Sequence, residues 1–582
     1  MSFRLGTALT AALFVALARS LAVGVAQDSS PDLILHNGKV ITVDDRFSIR
    51  QALALRDGRI VAVGSNRDVL NLRKPTTKTI DLGGKTVLPG LIDSHSHPSD
   101  AAMVEFDHEI PPMETIQDVL AYIRRRADEL PDGDWIALRQ VFITRLKEQR
   151  YPTRQELDEA APRNPVLFAT GPDASLSTLA LKLSGIDRDF KVTDGGPGYP
   201  EKDAAGEPTG ILRGMTRFVK VKPTGKQPTE ADHHRRILEL FRDYNAAGIT
   251  AIGDRDASPD EIDRFRKMRE KNELSVRISA SQHLETIGPL DKIQENIRNI
   301  AADPLRKPDP FLQLIGVKTY LDGGMLTGSA SMRKPWGVSK IYAITDPEYR
   351  GVRFVPHERL VPIVRSVVES GMQFTAHSVG DGAVHGLLDA YEEVNRSTPI
   401  RSTRPCITHS NFMSEEAVKE LPKLGVSVDI QPAWLYLDTR TLSAHFGYDR
   451  LRWFQPLRSI FRAGGIAGGG TDHMQKIGPM RSVNPYNPFL GIWITITRKA
   501  KGYDGRLHPE EALSRKEAIR FYTRNNAYIL FRDHEIGSLE KGKWADFQIL
   551  DRDILTCPVD EIKEIRPLQV FVGGKQVSGI IQ

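Results

Sequence analysis

The sequence predicts an α/β protein: a (β/α)8 TIM barrel with a small β-sandwich domain built from both chain ends. Through the middle of the 582 residues, short apolar runs of strand texture alternate with longer amphipathic stretches, the pattern of a parallel sheet wrapped by helices. Eight such runs can be counted, the number that closes a barrel of this kind. Segments that alternate short apolar runs with turn dipeptides stand at both ends, as β-hairpins do.

From the amino end, residues 1–4 carry one positive charge and lead into an uncharged run, 5–18, followed by Gly24-Val25-Ala26, small residues suited to signal peptidase. That run is shorter than the roughly 20 apolar residues that cross a bilayer, and Arg19 interrupts it. A signal peptide is therefore expected over 1–26, and with it a secreted or periplasmic protein free of the membrane after cleavage. Residues 27–85 read as the N-terminal part of the small β domain, with Asn37-Gly38 and Asp57-Gly58 as turns between apolar runs. The barrel is expected over 86–533, its strands at 86–93, 248–253, 276–281, 314–320, 372–377, 404–409, 426–431 and 465–471. The first two lie too far apart for one crossover, so an insertion at about 99–235 is expected, holding a helix such as 116–126 and a strand such as 166–169. Residues 534–582 complete the small domain, with Gly573-Gly574 at a turn.

Composition excludes several classes. Loss of 1–26 would remove Arg4 and Arg19 and no acids, lowering the formal net charge from +5 to about +3. So little charge on so large a surface gives no electrostatic case for nucleic acid or membrane. Cys406 and Cys557 are the two cysteines, which excludes a disulfide scaffold and a multi-cysteine zinc site; both are expected to be free, buried thiols. The expected partner is a small-molecule substrate, with a homo-oligomer left open.

The sharpest local signal is the run from Val87 to His97, which ends Asp93-Ser94-His95-Ser96-His97. Histidines at i and i+2 at a strand end point to one side, where both imidazoles can face one cation. Alone the pair says little. His377, His409 and Asp472, however, each close a further expected strand, and ligands from separate strands converge at that end of such a barrel.

With these residues in view, the sequence resembles the amidohydrolase superfamily, in the branch containing N-substituted formamide deformylases. The resemblance spans nearly the whole chain after the signal and extends to the Gly-rich return 535–546. It implies a divalent metal site, one or two ions and zinc by preference, held at His95, His97, Lys318, His377, His409 and Asp472. It further implies a carboxylated lysine at Lys318 bridging two metals. The residues by themselves leave open an unmodified amine pairing with Asp322 or substrate, and a mononuclear site. By the same resemblance Asp472 takes the proton from the attacking water and passes it to the leaving nitrogen, and His409 ligates metal or orients the carbonyl oxygen.

The pocket should be lined from loops after the strands. His473 follows the base, Trp434 and Tyr436 follow the seventh strand, and Arg333 and Trp336 follow the fourth; all five are substrate-binding candidates, with core packing the alternative for the aromatics. His473 and the stretch after His377 depart from the family pattern, which places specificity in question. The function expected is hydrolysis of a carbon-nitrogen bond in a small amide, formamide or cyclic amide. The alternatives are a binding or regulatory protein on this scaffold, and an esterase or lactonase using the same metal site.

Overall fold

The apolar run at 86–93 is divided by a glycine. In the computed structural model, which describes residues 30–139 and 141–579, Thr86–Pro89 pairs with Lys39–Ile41 on one side and Phe547–Leu550 on the other, inside the small domain. Beyond Gly90 the chain turns, and Leu91–Ser96 pairs in parallel with Ile249–Ala257 as the first barrel strand. One predicted strand is thus two strands in two sheets. Gly90 is required at the turn, since a Cβ there would lie 2.1 to 2.7 Å from three atoms of the Thr250 side chain. The expected signal peptide, 1–26, lies outside the described residues.

The small domain has two sheets. A four-stranded sheet comes from the N-terminal segment alone, in the order Arg59–Gly64, Ala52–Arg56, Leu33–His36 and Lys78–Asp81. A six-stranded sheet joins both chain ends, in the order Lys575–Gly579, Pro567–Val572, Phe547–Leu550, Thr86–Pro89, Lys39–Ile41 and Ile49–Arg50. Leu35, Val40, Leu53, Val87, Phe547 and Phe571 form a shared apolar core, with Phe547 and Phe571 stacked at 4.5 Å.

The barrel sheet has eight parallel strands in sequence order: Leu91–Ser96, Ile249–Ala257, Arg277–His283, Leu312–Tyr320, Gln373–Ser378, Cys406–His409, Ser427–Ile430 and Ile466–Gly469. Helices between them bury one face each. Glu415–Leu424 shows the local logic: the Ser414 hydroxyl accepts from the Ala417 amide, Gly425 ends the helix at φ 71°, and Ala417, Val418, Leu421 and Leu424 face the core. The seam between eighth and first strands is held by side chains. Asn526 donates to the carbonyls of Ile92 (2.5 Å) and Gly469 (2.7 Å), and the Asp93 carboxylate accepts from the amide and hydroxyl of Thr471.

The insertion builds its own five-stranded sheet, Tyr199–Lys202, Pro208–Arg213, Ala174–Leu176, Val166–Ala169 and Ile136–Leu138, beside the helix Ile116–Glu129. Buried Arg213 fastens it to the segment after the fourth barrel strand, donating to Glu201 at 2.6 Å, to the Thr327 carbonyl at 2.6 Å and to the Tyr342 carbonyl. Of the cysteines, both free, Cys406 is buried but Cys557 is half-buried, because it lies in an irregular segment where Arg515 covers only one side. Among the described residues, no helix is long and apolar enough to cross a membrane.

Candidate metal centre

His95 lies near the end of the first strand and His97 just beyond it, capping the helix Pro98–Met103, and Asp472 follows the eighth strand across the seam, its amide donating to the His95 carbonyl at 2.8 Å. The side chains meet where the backbones do. His95 Nε2 lies 3.2 Å from His97 Nε2 and 3.3 Å from Asp472 Oδ1, which is 3.2 Å from His97 Nε2. These three residues offer ligand atoms within 4.8 Å of one another. The His409 ring adjoins, 4.9 Å from that of His95 and 4.5 Å from that of His377. Asp472 and His409 both have left-handed backbone, φ 54° and 77°, a conformation that is uncommon for non-glycine residues.

The tautomers of two rings follow from their partners. Asp429, on the seventh strand, presents Oδ1 to His95 Nδ1 at 3.1 Å and accepts from Gln431 Nε2 at 3.2 Å. That contact turns the Gln431 amide so that its Oε1 faces His409 Nδ1 at 2.8 Å. With each Nδ1–H donated to an oxygen, the Nε2 lone pairs of His95 and His409 are free for a cation. His377 places Nε2 3.3 Å from the Gly323 carbonyl, leaving Nδ1 as its ligand atom.

Burial and neighbouring charge hold His377 and His409 neutral. Desolvation, then Lys318, push His377 down to about 3; desolvation, then His377 and His95, hold His409 well below the usual histidine range. At His97 burial also disfavours charge, but the Asp472 hydrogen bond and charge outweigh it and raise the ring to about 9. Asp429 is buried yet stays well below the usual carboxylate range, because His95 and Arg255 oppose desolvation. Imidazoles gathered round a carboxylate are a donor set that suits a divalent cation such as zinc, which would take the place of the proton that Asp472 now holds on His97.

Lys318 lies buried on the fourth strand, its amine 4.4 Å from the Tyr320 ring, which is 5.3 Å from that of His377. Burial lowers its pKa against the charges of Asp256, Asp472 and Asp429. Asp322 is engaged elsewhere, accepting the backbone amides of Ser331, Val379 and Gly380 at 2.9 to 3.0 Å.

The pocket candidates separate. Trp434 belongs with the centre: its ring stacks on His409 at 4.9 Å, and its Nε1 meets Asn484, whose amide donates to the Asp472 carbonyl. Tyr436, two residues on in the helix Pro432–Phe446, packs on Trp493 instead. His473 is fully buried, with Nδ1 accepting from Tyr244 at 2.7 Å and Nε2 directed at the carbonyls of Gln475 and Lys476. Both nitrogens being taken, the ring braces the loop and does not line a pocket. Trp336 is core, bonded to the Ala330 carbonyl and packed on Tyr342 and Phe446. Arg333 is half exposed, beside His385 and Glu416.

Residues that the sequence reading passed over complete the centre. Asp429 and Gln431 follow the same i, i+2 rule as His95 and His97, which was the available signal. Asp256, His283 and Tyr320 lie at the mouth because the second and third strands run on to Ala257 and His283, beyond the expected ends at 253 and 281.

This fold and donor set define a metal-dependent hydrolase on a (β/α)8 barrel. The model of the amidohydrolase family matches residues 78–578, and the chain belongs to that family, as a metal-dependent hydrolase acting on carbon-nitrogen bonds other than peptide bonds. It is similar to an N-substituted formamide deformylase of Arthrobacter pascens, 29% identical over 558 residues that cover 93% of this chain and 97% of the relative. It is also similar to the putative amidohydrolase YtcJ of Bacillus subtilis, 24% identical over 94% of this chain and 99% of the relative. An uncharacterized metal-dependent hydrolase from Pyrococcus horikoshii shares the fold, with TM-score 0.65 at 21% identity over 91% of this chain and 99% of that one.

Proposed function

We propose that this protein hydrolyses the carbon-nitrogen bond of a small amide, with an N-substituted formamide the first substrate to try, outside the cytoplasm. The observation that carries the reading is the relay Asp429–Gln431, which fixes His95 and His409 with their Nε2 lone pairs free toward Asp472. The likeness to a formamide deformylase along nearly the whole of both chains supports the substrate class.

His95, His97, His377, His409 and Asp472 would hold one or two divalent ions, zinc by preference, with Lys318 joining as a carboxylated bridge. Such an ion, when bound, supplies Lewis acidity that makes water nucleophilic near neutral pH and polarises the scissile carbonyl. The chain's own residues do the rest. The Asp472 carboxylate takes one proton from the attacking water as its oxygen bonds the acyl carbon, then delivers it to the leaving nitrogen as the carbon-nitrogen bond breaks. His409, stiffened by Trp434 and Gln431, steadies the carbonyl side. The depressed pKa of Lys318 supports carboxylation, since a neutral amine is what adds to carbon dioxide.

The test is metal content per chain by elemental mass spectrometry, wild type beside Lys318→Ala, with both assayed on N-substituted formamides and cyclic amides. Two equivalents falling to one or none, with activity lost, is expected. One equivalent unchanged by the substitution would remove Lys318 from the site. No metal after reconstitution and no turnover would favour a binding protein on this scaffold.

A further inference from the structure

Beside the metal centre lies a second cluster to which no role has yet been given. Asp256, at the end of the second barrel strand, accepts from His283 Nδ1 through Oδ1 and from the Tyr320 hydroxyl through Oδ2, both at 2.7 Å. The three residues come from three adjacent strands. Their meeting depends on a bulge: Arg255 pairs with Ser281 and Ala257 with Gln282, so Asp256 has no partner in the ladder. It takes φ 94°, strained for any residue but glycine. Bulges of this kind re-aim side chains next to active sites, and this one points a carboxylate at two neighbours instead of along the ladder.

His283 stands in register with Lys318 and Tyr320 with His377, so these two side chains lie on the same face as metal-site residues. The His283 side chain is 41% exposed although its Nδ1 edge is occupied. With Nδ1 held by Asp256, Nε2 is the ring nitrogen left for a further partner.

We propose that His283, aimed by Asp256 and braced through it by Tyr320, is a substrate-positioning residue whose Nε2–H donates to an oxygen acceptor that the substrate carries beside its scissile bond. The inference rests on the hydrolase reading above. The Asp256 carboxylate, 2.7 Å from Nδ1, holds that edge of the ring and leaves Nε2 as the nitrogen for a second partner. Asp256 acts through His283: it fixes the direction of the ring, and Tyr320 occupies its other oxygen so that the carboxylate cannot swing away.

The test uses full-length, metal-loaded protein as wild type, His283→Ala, His283→Gln and Asp256→Asn. Metal content is measured first and is expected to be equal in all four. On an amide that the wild type hydrolyses, His283→Ala should raise KM at least tenfold with kcat changed less than threefold. His283→Gln, which keeps an N–H near the same place, should recover most of that loss, and Asp256→Asn should fall between. Sodium benzoate titrated by calorimetry supplies a readout that needs no turnover: its affinity should fall at least fivefold in His283→Ala and return in His283→Gln. If no amide is hydrolysed, the hydrolase reading fails while the benzoate series still decides the role of His283. A KM and benzoate affinity that His283→Ala leaves at wild-type values, or no benzoate binding by the wild type, would overturn the proposal.

Discussion

The His95 and His409 Nδ1 positions are fixed by oxygens of one short strand, Asp429 Oδ1 and Gln431 Oε1, and this relay sets which nitrogen each ring offers. Asp429 is itself held from behind by Thr408, 3.3 Å from Oδ2, and by Arg255 at 3.6 Å. Asp429→Asn keeps the shape and removes the charge that favours the donating Nδ1. Metal affinity, measured by competition with a chelator, should fall about 10- to 100-fold, while circular dichroism stays that of the wild type. The ligand-type residues were legible because each lies at or near the C-terminal end of a strand, and side chains there face one mouth in a parallel barrel. The relay was not, because Asp429 holds a ring 334 positions away and nothing in either segment names the other. His473 was misjudged for a related reason. Its neighbour Asp472 faces the centre, while Tyr244, 229 positions away in the chain, holds the His473 ring in the core.

At the scale of elements, the division at Gly90 decides where the small domain ends and the barrel begins. Gly90→Ala would drive a Cβ into Thr250 and should cost about 1–3 kcal/mol, read as a lower denaturation midpoint; Thr250→Ala in the same chain should recover part of it. The insertion carries a separate electrostatic element. Glu156 caps the helix Arg154–Ala160 through Thr153 and takes both terminal nitrogens of Arg150 at 2.7 Å. The Arg150 hydrogen bond, more than the opposing burial, lowers the Glu156 carboxyl from 4.5 to about 2. A carboxyl depressed in the native state stabilises fully above its unfolded value and loses that effect as pH falls toward the native one. The difference in denaturation midpoint between wild type and Glu156→Gln should therefore be full at pH 6 and smaller at pH 3.5. Strand identity was read from apolar texture and held for most of the barrel; strand ends were not, since Asp254, Arg255, Asp256, Gln282 and His283 are polar and break that texture.

For the whole molecule, the insertion, the barrel and the small domain are tied by a few buried charges. Arg213 lies between Glu201 at 2.6 Å and Asp173 at 3.8 Å and also binds the segment after the fourth strand. Arg277 joins the third barrel strand to Asp546 of the small domain at 2.6 and 2.8 Å. Removing one member of such a buried set leaves uncompensated charge and costs about 3–5 kcal/mol. Arg213→Ala should lower the denaturation midpoint accordingly, and limited proteolysis should cut first within 99–235.

The sequence by itself determined the α/β class, the eight-strand count and the residue types at the strand ends, because these are written in the period of apolar residues and in chain order. Tertiary structure alone decided which strands become neighbours and in what register. On that depend the split at Gly90, the Asp429–Gln431 relay, the burial of His473 and the meeting of Asp256, His283 and Tyr320. Each joins residues far apart in the chain, and hydrogen-bond geometry between them exists only once the barrel has closed.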